Sequence, residues 1–248
     1  MSVISSSFSS VYSFSKTMNK SPKEATSTQA EKTKPAPEVA SPTKKATDIP
    51  KSKAISEVAS DARSALDARY KETGVTSSQY RNITGTFRRE TFDALDFDRR
   101  TLFAIVSNEG GQFTTEEMSA ADSAMDDQVR KAMYGEAPSL KPHAQSYRDA
   151  INFLDNEASP EEKASFEWAK ARATAMTSYK MQTGRIDDDL KSDNPTVNLL
   201  LVAYEELFEA YNKDMHSRLE DMPSYANAQQ QWKDESTFYG EYSINFVV

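Results

Sequence analysis

From residue 52 onward, apolar positions recur at helical spacing. Ile55, Val58, Ala59, Ala62, Leu66 and Tyr70 follow the i, i+3, i+4, i+7 rule, and Gly74 is placed to end that run. A second run covers Arg99 to Ser107, with Leu102, Phe103 and Val106 on one face. Thr114-Thr115-Glu116-Glu117 has the form of a capping box and opens a third, which carries Met118, Ala121, Met125 and Val129. Tyr147, Ala150, Ile151 and Leu154 mark a short fourth. Ser159-Pro160-Glu161-Glu162 reads as another helix start. Ser caps, Pro takes the first position where its missing N–H costs nothing, and Glu162 reaches back. That helix runs through Phe166, Ala169, Ala173 and Met176 to Gly184.

Asn194-Pro195 opens the most apolar helix, with Val197, Leu200, Leu201, Tyr204, Leu207, Phe208 and Tyr211 on its stripe. Leu199 and Val202 are apolar beyond that stripe, which predicts a place at the centre of a bundle and makes Leu201 a core residue. A weaker helix spans Ser224 to Thr237. Nothing in the body alternates with period two. The expected fold is all-α: one irregular helical bundle over residues 52–248, with a disordered arm before it.

The arm, residues 1–51, differs in kind. Its first fifty residues hold 11 Ser, 6 Thr, 5 Pro and 7 Lys, and no Gly, Arg or Leu, so they have too little apolar surface to offset the entropy of ordering. Seven Lys against four acids leave those fifty at +3, while residues 51–248 carry -11. Residues 1–15 interleave serines with Val3, Ile4, Phe8, Val11, Tyr12 and Phe14, and the first cation is Lys16. A Sec signal peptide needs a cationic start and a continuous apolar stretch, and neither is present. The first twenty residues are similar to the unfolded export signals of type III and flagellar substrates. The plainer account is a frayed terminus.

Composition removes several chemistries. The chain has no cysteine, which excludes disulfides, thiolate nucleophiles and Cys-based metal centres. A net charge of -8 argues against coating nucleic acid. The longest apolar run, Leu199 to Tyr204, is far short of a membrane span. No P-loop, GxGxxG, GxSxG or HExxH string occurs. His143 sits in a proline-flanked loop, and His216 precedes Glu220 by one helical turn, half of a metal site at most. Asp187-Asp188-Asp189 with Asp193 reads as a solvated turn before a helix start. Glu161-Glu162 and Glu205-Glu206 are sequence neighbours that point apart on a helix and form no acid/base pair. Arg88-Arg89 and Arg99-Arg100 are cancelled by Glu90, Asp93, Asp96 and Asp98, as on a salt-bridged face.

The segment Asp98 to Glu117 has an EF-hand-like outline of helix, Gly-Gly turn, apolar Phe and capped helix. With Gly111 as the turn glycine, Asn108 and Glu117 fall at ligand positions three and twelve, the weak metal candidates of the chain. Positions one and five are Val106 and Gly110, which bring no side-chain oxygen, so calcium is not expected. The plainer account makes Gly110 and Gly111 left-handed caps and Glu117 a capping-box partner, exchangeable for Gln. The pattern Asp98-Arg99-Arg100 … Ser107-Asn108-x-Gly110-Gly111-x-Phe113, with Ser159-Pro160-Glu161-Glu162-Lys163 downstream, resembles a poorly characterised group of helical proteins from alphaproteobacteria over about residues 60–210. The resemblance implies a bacterial source and carries over no functional residue.

Aromatics gather near the C-terminus: Trp232, Phe238, Tyr239, Tyr242 and Phe246. They either pack on the body or anchor a partner. These features point to a non-enzymatic bacterial protein acting through protein–protein contact, without a cofactor, in the cytoplasm or exported by a Sec-independent route. An exported type III or flagellar-type substrate and a degenerate EF-hand-like calcium responder are the alternatives. Limited proteolysis is expected to trim the chain near residues 45–55 and leave a stable body. Protection of the amides of residues 20–45 from hydrogen exchange would contradict that boundary.

Overall fold

Most of the helices begin or end where the sequence supplies a capping side chain or a left-handed residue. The computed structural model describes residues 53–74, 85–135 and 143–243, apart from the side chains of 85–89 and 236–243. The N-terminal arm with its export reading lies outside the described residues. Among those residues every regular element is helical and none is a strand, so the chain is all-α.

Helix α1 (Ile55–Thr73) buries Val58, Ala59, Ala62, Leu66 and Tyr70, and Gly74 follows at φ 70. Helix α2 (Gly85–Leu95) is not foreseen by apolar spacing. Arg88, Arg89, Glu90 and Asp93 interrupt its period, and it buries Thr91 and Phe92. Helix α3 (Arg99–Ser107) is capped by Asp98, whose carboxylate accepts from Thr101 N at 2.8 Å. Helices α4 (Thr115–Tyr134) and α5 (His143–Glu157) follow.

The single helix expected from Ser159 to Gly184 is two. Short α6 (Pro160–Lys163) stops, and Ser165 recaps the chain by accepting from Trp168 N at 3.1 Å, opening α7 (Phe166–Thr183). Gly184, at φ 77, closes α7 with its N–H on Lys180 O. Asn194 and Pro195 then open α8 (Pro195–Tyr211), and α9 (Pro223–Ser243) runs past the expected end at Thr237.

Successive helices are spatial neighbours: α3 packs on α4, α4 on α5, α5 on α7, α7 on α8 and α8 on α9, while α1 rests on α3 and α2 on α4. One core gathers Leu66, Tyr70, Phe92, Leu102, Ile105, Phe113 and Ala121 from α1 to α4. Helices α5, α7, α8 and α9 bury residues of their own, among them Ile151, Leu154, Met176, Leu200 and Tyr225.

The centre is α7, not α8. Trp168, Ala169, Ala171, Arg172, Ala173, Ala175, Met176 and Tyr179 are buried, which spreads buried positions over more than half of that helix's circumference. Its alanines let α5 and α8 approach closely, since the distance between helix axes follows the side chains at the contact. Hydropathy favours α8 because it counts leucines, yet α8 buries one row, Val197, Leu200, Ala203 and Leu207. Leu201 is only half-buried, while Val202 and Phe208 are 45% and 56% exposed. Leu200→Ala should therefore cost about 2–5 kcal/mol, and Leu201→Ala only about 1 kcal/mol. Urea midpoints compare the two, and equal losses would return α8 to the centre.

Candidate functional site

The helix–turn–helix between α3 and α4 is closed from within. Asn108 ends α3 in the left-handed region at φ 47, and its N–H bonds Ala104 O. Its side chain then clasps Phe113: Oδ1 accepts from Phe113 N at 2.9 Å, and Nδ2 donates to Phe113 O at 3.1 Å. Gly111 is left-handed at φ 62 as expected, but Gly110 is not, so Asn108 supplies the second left-handed position. Thr114 and Glu117 form the expected capping box at the start of α4.

Glu117 does far more than cap. The residue is 0% exposed, and its carboxylate accepts from Thr114 N at 2.8 Å and Tyr70 OH at 2.8 Å. Arg63 Nη1 donates to both of its oxygens at 2.9 Å. Arg63 is in turn held by Asp67 at 2.8 Å and lies against the rings of Tyr70 and Phe113. Burial alone would lower the Arg63 pKa, but the hydrogen bonds and charges of Glu117 and Asp67 outweigh it and raise the value above the ordinary one. Both EF-hand ligand candidates are thus committed to protein donors. A cation at this turn would have to displace N–H and O–H donors from those oxygens.

A second clasp joins α3 to α6. Arg99 donates through Nε to both Glu162 oxygens at 3.0 Å and through Nη2 to Oε1 at 2.7 Å. Its Nη1 reaches Met125 O on α4 at 3.2 Å, and its guanidinium lies 5.2 Å from the ring centroid of Phe153 on α5. Arg100 pairs with Glu161 beside it. Glu161 is partly buried, which by itself would raise its pKa, yet the Arg100 hydrogen bond and further donors hold the value below the ordinary one. Arg99 and Arg100 are thus salt-bridged, as expected of that face, but to acids 63 and 61 residues away; the side chains of Arg88 and Arg89 lie outside the described residues. Glu162 does not reach back to complete a capping box; its N–H meets Ser159 Oγ while its carboxylate serves Arg99.

The acidic loop is a solvated turn, as expected, with Asp188 and Asp189 94% and 64% exposed, and one side of it is ion-paired. Arg148 forks to Asp187 and Asp189, and Tyr179 OH donates to Asp187 at 2.7 Å. That hydrogen bond, with Arg185 and Arg148 nearby, holds the Asp187 pKa below its ordinary value. His143 stands exposed as the first residue of α5, not in a loop. His216 lies in an exposed turn, and residues 219–221 form a separate 3-10 turn, so the helical spacing to Glu220 does not hold. Glu205 and Glu206 point apart as expected: Lys180 takes Glu205 at 2.5 Å, while Glu206 accepts from Ser224 N and Oγ at the start of α9. Among the described residues, no three His, Asp or Glu are grouped to hold a metal ion, and no helix is long and apolar enough to cross a membrane.

The aromatic C-terminus divides. Trp232 is docked: its Nε1 donates to Ala164 O at 2.7 Å and its ring meets Phe166 at 5.8 Å. Phe238, Tyr239 and Tyr242 lie on the helical backbone of α9, with side chains outside the described residues, as is Phe246 altogether. The large apolar side chains turned outward among the described residues are Met181, Val202, Phe208 and Met215, and α8 holds two of them. Sequence reasoning took Val202 for core, yet it lies off the Val197-Leu200-Ala203-Leu207 row, and that offset is the signal that marks it as outward. No family model matches the chain, and neither a curated protein nor a solved structure does.

Two outcomes follow for the turn. Glu117→Gln should destabilise the fold by about 1.5–3 kcal/mol, the scale of a hydrogen bond to a charged group, where a pure capping role would be nearly neutral. Millimolar calcium should leave the melting temperature of the unaltered chain unchanged. A calcium-induced rise that Glu117→Gln removes would favour the calcium reading. Gly111→Val should cost more than about 1 kcal/mol through the left-handed backbone alone, since a Cβ there meets nothing within 4 Å. A stability equal to that of the unaltered chain would show that the backbone relaxes at no cost.

Proposed function

We propose that this is a bacterial, non-enzymatic interaction protein, and that the outer face of α8 receives a basic amphipathic helix of its partner. The carrying observation is that the most apolar helix of the chain leaves Val202 and Phe208 45% and 56% exposed. Six residues apart, the two stand about 120° apart around α8 and flank its exposed arc, so the partner helix lies between them and presents large apolar side chains at i and i+3 or i+4. Charge supplies the rest. All charged residues of α8 are acidic: Glu206 is spent on Ser224, and Lys180 only partly offsets Glu205, because both side chains are more than 40% exposed. Exposed Glu209 stands beside Phe208. A partner row flanked by Lys or Arg answers that arrangement, and charge of one sign favours encounter with the other. The bacterial source rests on the sequence resemblance.

Photo-crosslinking at position 208 in the native cell tests this. An aromatic photo-crosslinker there should trap one discrete partner, whose attached segment is helical, apolar on one face and Lys/Arg-rich on its flanks. Val202→Glu should abolish the product, whereas the same probe at exposed Asn227 on α9 should trap none. Equal products from both positions, or an attached segment that is acidic, would defeat the reading.

A further inference from the structure

We propose that Lys180 sets the specificity of the α8 face: by holding one oxygen of Glu205 in advance, it makes that face select a partner helix that presents arginines over one that presents lysines. The inference rests on the reading of α8 as a docking face and refines the chemistry of its partner. It begins with the helical period. Glu205 stands about 60° from Val202 on one side and about 60° from Phe208 on the other, midway along the arc that the partner covers. Glu209, one turn beyond Glu205, falls inside the same arc and is exposed. Glu206, the remaining acid of α8, is held by Ser224. The anionic row that meets the partner is therefore Glu205 and Glu209.

Lys180 reaches that row from α7. Its Nζ donates to Glu205 Oε1 at 2.5 Å, and the two side chains are 41% and 48% exposed. Among the described residues, none supplies a donor to Glu205 Oε2 or to the Glu209 carboxylate. Arginine and lysine then gain different amounts on arrival. A partner lysine brings a compact ammonium, which either replaces Lys180 at Oε1, one cation for another, or sits beside it at Oε2 against like charge. A partner arginine leaves Lys180 in place, because its planar fork of N–H donors serves Oε2 and Glu209 together. Val202 and Phe208 attract either helix equally, so the discrimination comes from Lys180. The α7–α8 junction does not depend on this lysine, since Thr174 Oγ1 and Tyr204 OH also join the two helices at 2.6 Å.

Three synthetic helices test this against the full chain. They share one row of leucines and carry arginine, lysine or glutamate beside it. Fluorescence anisotropy of the labelled helices gives their affinities at about 0.1 M salt, where charges act over about 10 Å. The unaltered chain should bind the arginine helix about two- to five-fold more tightly than the lysine helix, the scale of an exposed ion pair, and the glutamate helix least. In Lys180→Gln the arginine-to-lysine ratio should fall towards unity, because the lysine helix then takes Glu205 without displacing a cation or meeting one. Lys213→Gln removes an equal charge from the exposed turn after α8, and should leave that ratio as it was. A merely structural role or a general charge effect would not move the ratio. Glutamate binding as tight as that of the basic helices, or binding of none of the three, would overturn the reading of α8 and this proposal with it. A ratio unchanged in Lys180→Gln, or lowered equally in Lys213→Gln, would overturn the proposal alone and leave the reading of α8 in place.

Discussion

Two carboxylates taken out of water, Glu117 and Glu162, fix how the helices of this protein sit. A buried carboxylate is tolerated only when its oxygens are supplied with donors, and breaking such a pair costs far more than omitting it. Glu117 meets that demand from α1 through Arg63 and Tyr70, and from its own turn through Thr114 N. Glu162 meets it from α3 through Arg99. Apolar packing holds the elements close. These directional contacts choose which of the many apolar arrangements is kept.

Local grammar was legible because its partners are local. The caps at Thr114, Ser159 and Asn194 each bond a backbone N–H three residues on, and such a bond depends on nothing else in the chain. Glu117 and Glu162 were read through the same grammar, which yields only half of what Glu117 does and misses what the Glu162 carboxylate does. Their cationic partners lie 54 and 63 residues away, beyond any helical period. One signal did exist. Arg172 stands between Ala171 and Ala173 in a small-residue helix, and it is a buried arginine held bidentately by Asp155. An arginine on an apolar face marks a carboxylate to be found elsewhere.

The misplacement of α8 has a different cause. Its excess of Leu and Val is a statement about how apolar the helix is, not about how many neighbours surround it. The Ala-rich α7 is surrounded because small side chains permit close approach on several sides at once. Where apolar content exceeds what packing consumes, as at Val202 and Phe208, the surplus is surface. The candidate site therefore emerged from the mismatch between pattern and burial, while the Gly-Gly turn, which looked more like a site, is closed by its own side chains.

Glu117 also sets how this molecule comes apart. The first turn of α4 cannot fray alone, because unwinding it strips Arg63 of its main counter-charge, and peeling α1 away leaves a carboxylate facing an apolar interior. Opening either helix thus carries the cost of disturbing both, so α1 and the α4 N-terminus belong to one cooperative unit despite the 54 residues between Arg63 and Glu117. A fragment that begins after Arg63 removes this link from the denatured and native chain alike, and with it the stabilisation of α4 at its start. The smallest autonomous piece of this protein must then include α1.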